Sequence, residues 1–527
     1  MLAIASILVS RYPAIALNTE LNPDEGQVLA QVMRISVGPV PWRGMDGTTT
    51  GPLNTWFVWL FHALRMPLAY TPVHVLAAVL LAFLAALVHR IVLRMAGARA
   101  ALGAVASVGV TIVLAQGANF VHFSSELVPS VLVCCVVLCL VSQPHPQRKP
   151  WLDLTSAVII GLLPWTKLQS LFSALALALW LLADVLHSPQ SKTGGAEPGD
   201  RRRLAAVLAA MLLPSGIVLG VVIASGAWSD FWYSYVLGNL GYVRESSLGA
   251  LAWKIVRILQ AEPSRLLVGA TGFAILWSAS GKPGWSNSPP RVKNTTTWLA
   301  ILTGASILST FVPRDPFPHY HILWLGPLSA LGGCLFSIWG NERSVGSRRA
   351  IGTAMFVLLM IGLPLTSLPE AARDARAATL LRKAGSIPTV RRIAGIIRRV
   401  APGAGSLVVW GWTPGLHVET GMTPGTRHVV GHFVQDAGPS RSHLQGSFLQ
   451  DVRAASPDVI VDAVATGCFT WRWDVASQRI DSFPALGEYV RQNYVLLASE
   501  LLEGKGEPVR VYVSKTFLRA RASARSR

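Results

Sequence analysis

The chain has 527 residues, of which 51% are hydrophobic and only 14% charged, and its mean hydropathy is positive. That is too little charge to cover a soluble protein of this length, and the apolar residues come in blocks, so the composition excludes a soluble class and indicates a polytopic membrane protein. The formal net charge of +19 needs no nucleic-acid partner, because much of it lies in short loops between apolar blocks, where lysine and arginine set orientation.

The first apolar block, residues 2–17, is interrupted by Ser6, Arg11 and Pro13 and is followed by no small-residue cleavage site, so a membrane anchor is expected there rather than a cleaved signal peptide. Leu21-Asn22-Pro23-Asp24-Glu25-Gly26-Gln27 comes next. Two adjacent carboxylates therefore sit where a membrane helix emerges, a costly place that calls for water, a partner or a function. Pro23 suits the first turn of a helix, and both acids favour its positive end. Within the loop 18–70, segments 28–37 and 53–66 have apolar faces, and Trp42, Trp56 and Trp59 suit the membrane interface, which predicts surface helices.

Further apolar blocks cover residues 72–93, 101–117, 127–141, 152–165, 168–186, 204–224, 266–278, 298–312, 322–339 and 351–368. With the first block they predict roughly eleven transmembrane helices, their ends loosely set. Alternate loops are basic: Arg90, Arg94 and Arg99; Arg148 and Lys149; Lys192 and Arg201 to Arg203; Lys282, Arg291 and Lys293; Arg343, Arg348 and Arg349. The basic side is expected to be cytoplasmic, with the N-terminus there and the C-terminal residues outside. Asp24, Glu25, Glu126, Lys167, Arg244, Arg314 and His319 then fall on the outer side.

After residue 368 charge rises and apolar runs shorten. Residues 406–412, 458–462 and 509–513 read as strands and 486–494 as a helix, which predicts a C-terminal extracytoplasmic α/β domain over 369–516. Residues 517–527, with four arginines, are expected to be a basic disordered tail. The five cysteines (Cys134, Cys135, Cys139, Cys334 and Cys468) contain no Cys-x-x-Cys pair and suggest neither a disulfide framework nor a zinc site.

Each outer-side polar residue has an ordinary explanation taken singly. Lys167 can snorkel, Glu126 can cap the next helix, Arg244 and Arg314 can be solvated loop charges, and His319 can be a structural hydrogen-bonder. As a set on one face they are candidates for chemistry. Carboxylates can accept a proton from a hydroxyl, and cationic side chains can hold a phosphate and neutralise it as it leaves. In a membrane the phosphate would be carried on a lipid. The implied reaction is transfer of a sugar from a polyprenyl phosphate to a hydroxyl.

The order of a first span, Pro23-Asp24-Glu25, surface helices, many spans and an outer α/β domain resembles the polytopic glycosyltransferases of the GT-C fold. The matching branch holds the bacterial protein O-mannosyltransferases and the lipid A aminoarabinose transferase. Pro23-Asp24-Glu25 matches its acidic motif, Gly51-Pro52-Leu53 the turn before its second surface helix, and Ser125-Glu126 the place of a second acid. Thr166-Lys167 matches a recurrent pair, and Pro318-His319-Tyr320 a late outer-loop element. The resemblance covers roughly residues 1–370. It implies an inverting transferase in which Asp24 is the general base, Glu25 and Glu126 orient or bind the acceptor, Lys167 and Arg244 contact the donor phosphate, and His319 and Tyr320 line the donor site. Arg314 belongs to the same candidate set. The partners implied are a polyprenyl-phosphate-linked sugar, a hydroxyl acceptor on lipid, glycan or protein, and the bilayer of a bacterial inner membrane. No cofactor is required by this reading, although the paired carboxylates Asp24 and Glu25 could hold a divalent cation. A transporter or a lipid-linked glycan flippase is the competing reading. Against it, there is no inverted repeat, and the polar residues gather at one surface rather than at the midplane.

Overall fold

A computed structural model of the chain describes residues 2–142, 149–186, 198–243, 249, 253, 288–313, 317–340, 389–431, 434–435, 438–470, 474–502 and 506–526. In chain order the helices are α1 (Leu2–Leu17), α2 (Pro23–Ile35), α3 (Pro52–Ala63), α4 (Tyr70–Leu114), α5 (Ala118–Val121), α6 (Leu127–Ser142), α7 (Pro150–Thr166) and α8 (Leu171–Leu186). They continue with α9 (Pro198–Ala224), α10 (Trp228–Phe231), α11 (Gly238–Val243), α12 (Pro290–Phe311), α13 (Ile322–Gly340) and α14 (Thr389–Val400). Then come β1 (Ser406–Trp410), α15 (Gly415–Thr420), β2 (Thr423–Pro424), α16 (Arg441–Ala455), β3 (Val459–Asp462), α17 (Pro484–Asn493), β4 (Tyr494–Glu500), β5 (Val509–Ser514) and α18 (Lys515–Arg525). The chain divides into two compact units: Met1–Ala16, His74–Val218 and Glu245–Leu380 in one, and Leu17–Val73, Leu219–Arg244 and Leu381–Arg527 in the other. The first outer loop and the C-terminal residues fall in the second of these units.

The first unit is helical. Among the described residues, four helices are long and apolar enough to cross a membrane: Tyr70–Leu114, Leu168–Leu186, Arg201–Ala224 and Pro318–Ile338. Ala3–Leu17 and Leu127–Ser142 are shorter apolar helices. The expected spans at 72–93 and 101–117 both lie on α4, which breaks at Gly97, where φ is 84° and ψ is 177°. That conformation is essentially reserved for glycine. The expected spans at 266–278 and 351–368 lie outside the described residues. Arg11, a charge inside the first block, is buried and donates from Nη2 to Ile112 O (2.8 Å) and from Nη1 to Ala115 O. It satisfies carbonyls that the end of α4 leaves without helical partners. On the far side of the unit, Arg203 of α9 pairs with buried Asp153 of α7 through Nε (2.9 Å) and Nη2.

The second unit is built on a mixed sheet of order β2-β1-β3-β5-β4. β1 is parallel to β2 and β3, while β5 is antiparallel to β3 and β4. β1 and β3 are apolar at nearly every position because both faces are covered. Leu407, Val409, Val459 and Val461 meet Ile393 and Ile397 of α14 on one face. Val408, Trp410 and Ile460 meet Phe448 and Val452 of α16 and Leu486 of α17 on the other. These strands and α17 fall where the sequence predicts them. β4 was not anticipated. It is the edge strand, and Val495, Leu496 and Leu497 are exposed, so no inside–outside alternation marks it. Residues 515–525, most of the expected disordered tail, form α18 instead, because Phe517 and Leu518 have an apolar surface on the sheet to pack against. Ser514 caps the helix, its Oγ accepting from Phe517 N.

The break at Gly97 supplies a test. Nothing lies within 4 Å of the place a Cβ would occupy, so Gly97→Ala creates no clash and should destabilise the protein by about 1–3 kcal/mol through backbone strain alone. Thermal unfolding in detergent measures this, and an unchanged transition would contradict the positive φ.

Candidate functional site

In the first unit the site is assembled by three interruptions of helix. The segment Ser124-Ser125-Glu126 leads into α6. Lys167 is the extended residue (φ −158°) that ends α7, and a 3-10 turn restarts the chain at Leu168. The third is the turn Pro318–His321, just before α13. Ser130 of α6 donates to Ile322 O (2.8 Å) and fixes the first of these segments against the third.

Glu126 and Lys167 are both buried and form an ion pair between Oε1 and Nζ. Lys167 Nζ also donates to Ser125 Oγ (2.8 Å) and lies 4.7 Å from the centre of the Tyr320 ring. Ser124 donates to the other oxygen of Glu126. Burial alone would raise the Glu126 carboxyl. The charges of Lys167 and His319, with hydrogen bonds from Lys167 and Ser124, outweigh it and hold the group down at about 2. Glu126 is therefore an anion at neutral pH and a poor proton acceptor, suited to holding a cation in place. His319 stands edge-on to Tyr320 (4.8 Å between rings) and to His122 (5.3 Å), and Phe317 stacks on it at 5.5 Å. The result is a buried ammonium group over the face of Tyr320, with the Glu126 carboxylate and the Ser125 hydroxyl as its polar partners. Such a group can take a share of an anionic oxygen without leaving its counter-ion.

In the second unit Asp24 and Glu25 occupy the first turn of α2. Asn22 is the N-cap, its Oδ1 accepting from Asp24 N (3.0 Å). Glu25 is fully buried, and its Oε1 accepts from Leu21 N (2.5 Å), a variant of the capping box that secures the helix start. Asp24 is partly exposed. The two carboxylates lie on successive helix positions, which do not face one another, and Glu25 is engaged in the cap. A divalent cation at Asp24 would need ligands beyond this pair. Farther along α2, Gln27 donates to Gly47 O and Thr48 Oγ1, and Gln31 donates to Asp46 O while accepting from Thr55 Oγ1 of α3 (2.7 Å). These polar side chains, four residues apart, dock α2 onto the loop and onto α3.

Of the residues singled out in the sequence, the structure brings together Glu126, Lys167, His319 and Tyr320 in the first unit and places Asp24 and Glu25 on α2 of the second. Arg244 and Arg314 lie outside the described residues. Glu20 was not singled out, although a third carboxylate four residues before Asp24 is visible in the sequence. Burial raises its carboxyl well above the ordinary range, the charges of Glu25 and Glu419 add to this, a hydrogen bond from the Gly415 backbone opposes it, and Asp24 raises it further. Glu20 thus holds its proton more tightly than an exposed glutamate does. Ser124 and Phe317 also belong to the site through near neighbours in sequence, and His122 through His319, distant in sequence.

The chain has a GT-C fold. Two crystal structures of ArnT from Cupriavidus metallidurans share it. The one bound to undecaprenyl phosphate matches with 15% identity and a TM-score of 0.59 over 97% of both chains, and the apo state with 15% identity and a TM-score of 0.55 over the same shares. The Archaeoglobus fulgidus oligosaccharyltransferase with a tethered acceptor peptide is more distant, at 10% identity and a TM-score of 0.48 over 96% of this chain and 74% of its own. No protein-family model matches the sequence, and no curated protein does.

Removing one member of a buried ion pair strands the other. Glu126→Gln should therefore destabilise the protein by about 3–5 kcal/mol, and adding Lys167→Met should recover most of that loss. Denaturation in detergent reads both, and a double variant no better than the single would contradict the pairing. Glu20 gives a pH signature. Its raised pKa stabilises the fold at low pH, and that contribution is lost as pH rises through the raised value. Glu20→Gln should flatten this loss of melting temperature with rising pH, and a slope equal to that of the wild type would refute the raised pKa of Glu20.

Proposed function

We propose that the protein is an integral-membrane inverting glycosyltransferase that moves a sugar from a polyprenyl-phosphate carrier to a hydroxyl acceptor outside the cytoplasm. The observation that carries this reading is the buried Lys167 ammonium between Glu126 and Tyr320, on a fold that in the ArnT structure binds undecaprenyl phosphate. A lysine retained in a membrane protein at the cost of a buried counter-ion suits a site for an anionic headgroup. About eleven spans, with the N-terminus cytoplasmic and residues 369–516 outside, belong to the same proposal.

The roles follow from the chemistry. Lys167 binds the donor phosphate, with Arg244 and Arg314 as further cationic contacts, while Glu126 orients Lys167. His319 and Tyr320 line the donor site. Asp24 takes the proton of the acceptor hydroxyl, and Glu25, through its cap to Leu21, keeps the start of α2 in place. The acceptor oxygen forms a bond to the anomeric carbon from the side opposite the phosphate. The carbon–oxygen bond to the phosphate breaks, and polyprenyl phosphate leaves as an anion matched by Lys167. The sugar is a hexosyl or pentosyl unit, and the acceptor a lipid, glycan or protein hydroxyl. A divalent cation is not required by these steps.

Two variants separate the roles. Lys167→Ala should weaken binding of undecaprenyl phosphate by at least about tenfold, the loss of one charge-assisted contact. Asp24→Asn should leave that affinity within about twofold and reduce transfer by about 10²–10⁴-fold. Unchanged lipid affinity in Lys167→Ala, or normal turnover in Asp24→Asn, would refute the corresponding role.

A further inference from the structure

Within the second unit, α2 lies against the C-terminal residues along one line of its surface. Gly26, Ala30 and Arg34 are four residues apart and share a face. At Gly26 the helix touches backbone: a Cβ there would sit 2.9 Å from Gly415 N and 3.1 Å from Gly415 Cα. At Ala30 it meets Trp412, Val429 and Val430. At Arg34, Nη1 donates to Pro424 O (3.0 Å) and Nε to Gly44 O (2.9 Å). The Glu20 carboxyl fills the remaining slot at Gly415, where a Cβ would lie 2.6 Å from both Glu20 Oε1 and the Tyr70 hydroxyl. Behind α2, Asp46 N donates to Arg427 O (2.9 Å), and the Asp46 carboxylate faces His428 Nδ1 at 3.4 Å. The helix bearing Asp24 therefore has no position independent of α15 and β2.

We propose that the C-terminal α/β residues act as the seat of the catalytic helix, with Gly26 and Gly415 as positioning residues that set where Asp24 stands. This rests on the glycosyltransferase reading and gives the outer residues a task besides acceptor binding or shielding. The nearest atom to such a methyl group is the Glu20 carboxylate oxygen, which a side-chain rotation can clear, but Gly415 N at 2.9 Å is backbone, so helix or turn must also shift. A shift of about 1 Å in a proton-accepting carboxylate costs on the order of 10² in rate.

The test uses the full-length protein in detergent with Gly26→Ala, Arg34→Gln and the control Gly395→Ala, a helical position with nothing within 4 Å of a Cβ. Spin labels on Val37→Cys and Ala455→Cys, both at exposed positions, read the distance between the end of α2 and the sheet domain in each background, independently of activity. Gly26→Ala should shift or broaden that distance and lower kcat for transfer about 100-fold, with affinity for undecaprenyl phosphate unchanged. Arg34→Gln, which introduces no clash, should move both readouts in the same direction by less, and Gly395→Ala should move neither. An unshifted distance in both variants, or a shifted distance with kcat within threefold of wild type, would overturn the seat. Loss of lipid affinity in parallel with kcat would also overturn it, since general disruption would then explain the effect. A wild type that turns over no donor would sink the glycosyltransferase reading instead, while the distances would still decide whether Gly415 seats α2.

Discussion

An ammonium group that is 4% exposed in a membrane protein must be neutralised where it stands, and Lys167 meets that condition with Glu126. The cost of desolvating two charges exceeds what the pair alone returns unless their remaining hydrogen-bonding capacity is filled. Ser124 and Ser125 fill it on the carboxylate side, and Ser125 and the face of Tyr320 fill it on the lysine side. The local breaks in the helices follow from this need. α7 has to end at Thr166 so that Lys167 can leave the helical path, and α6 has to begin after Glu126. A continuous helix at either place would carry the charge elsewhere.

The second unit solves a different problem, the placing of an acid at the start of a short helix. Thirteen residues make a helix that is marginal by itself. α2 is fixed at its start by Asn22 and the Glu25 cap, along one side by Gln27 and Gln31, and along another by the line from Gly26 to Arg34. Asp24 can then be partly exposed without wandering. The raised pKa of Glu20 fits the same scheme, since a third ionised carboxylate beside Asp24 and Glu25 would oppose both of them.

Much of this was legible in the sequence because it follows from local pattern. Residues 127–141 and 322–339 were apolar runs and became α6 and α13; the Val- and Ile-rich runs at 406–410 and 459–462 became β1 and β3. Pro23 and the two acids announced the start of α2 through helix-end chemistry. What escaped was either unpatterned or long-range. β4 is an exposed edge strand without alternation. The 45-residue run of α4 hides its break in a single glycine. Arg427 and His428 meet the loop around Asp46 across nearly the whole chain, and no local pattern announces such a contact. The candidate set itself was recognisable as charges recurring at one face, but His122 and Glu20 acquire significance only through the partners that folding brings to them, His319 and Gly415.

The most direct measurement is turnover by the purified wild-type protein in detergent, offered a panel of polyprenyl-phosphate sugars and followed by release of polyprenyl phosphate. Release from one donor, dependent on both Lys167 and Asp24, is the expected result, and it would identify the sugar at the same time. Failure to bind or to cleave any donor in the panel would contradict a lipid-phosphate-dependent glycosyltransferase and return the buried lysine to a structural or transport role.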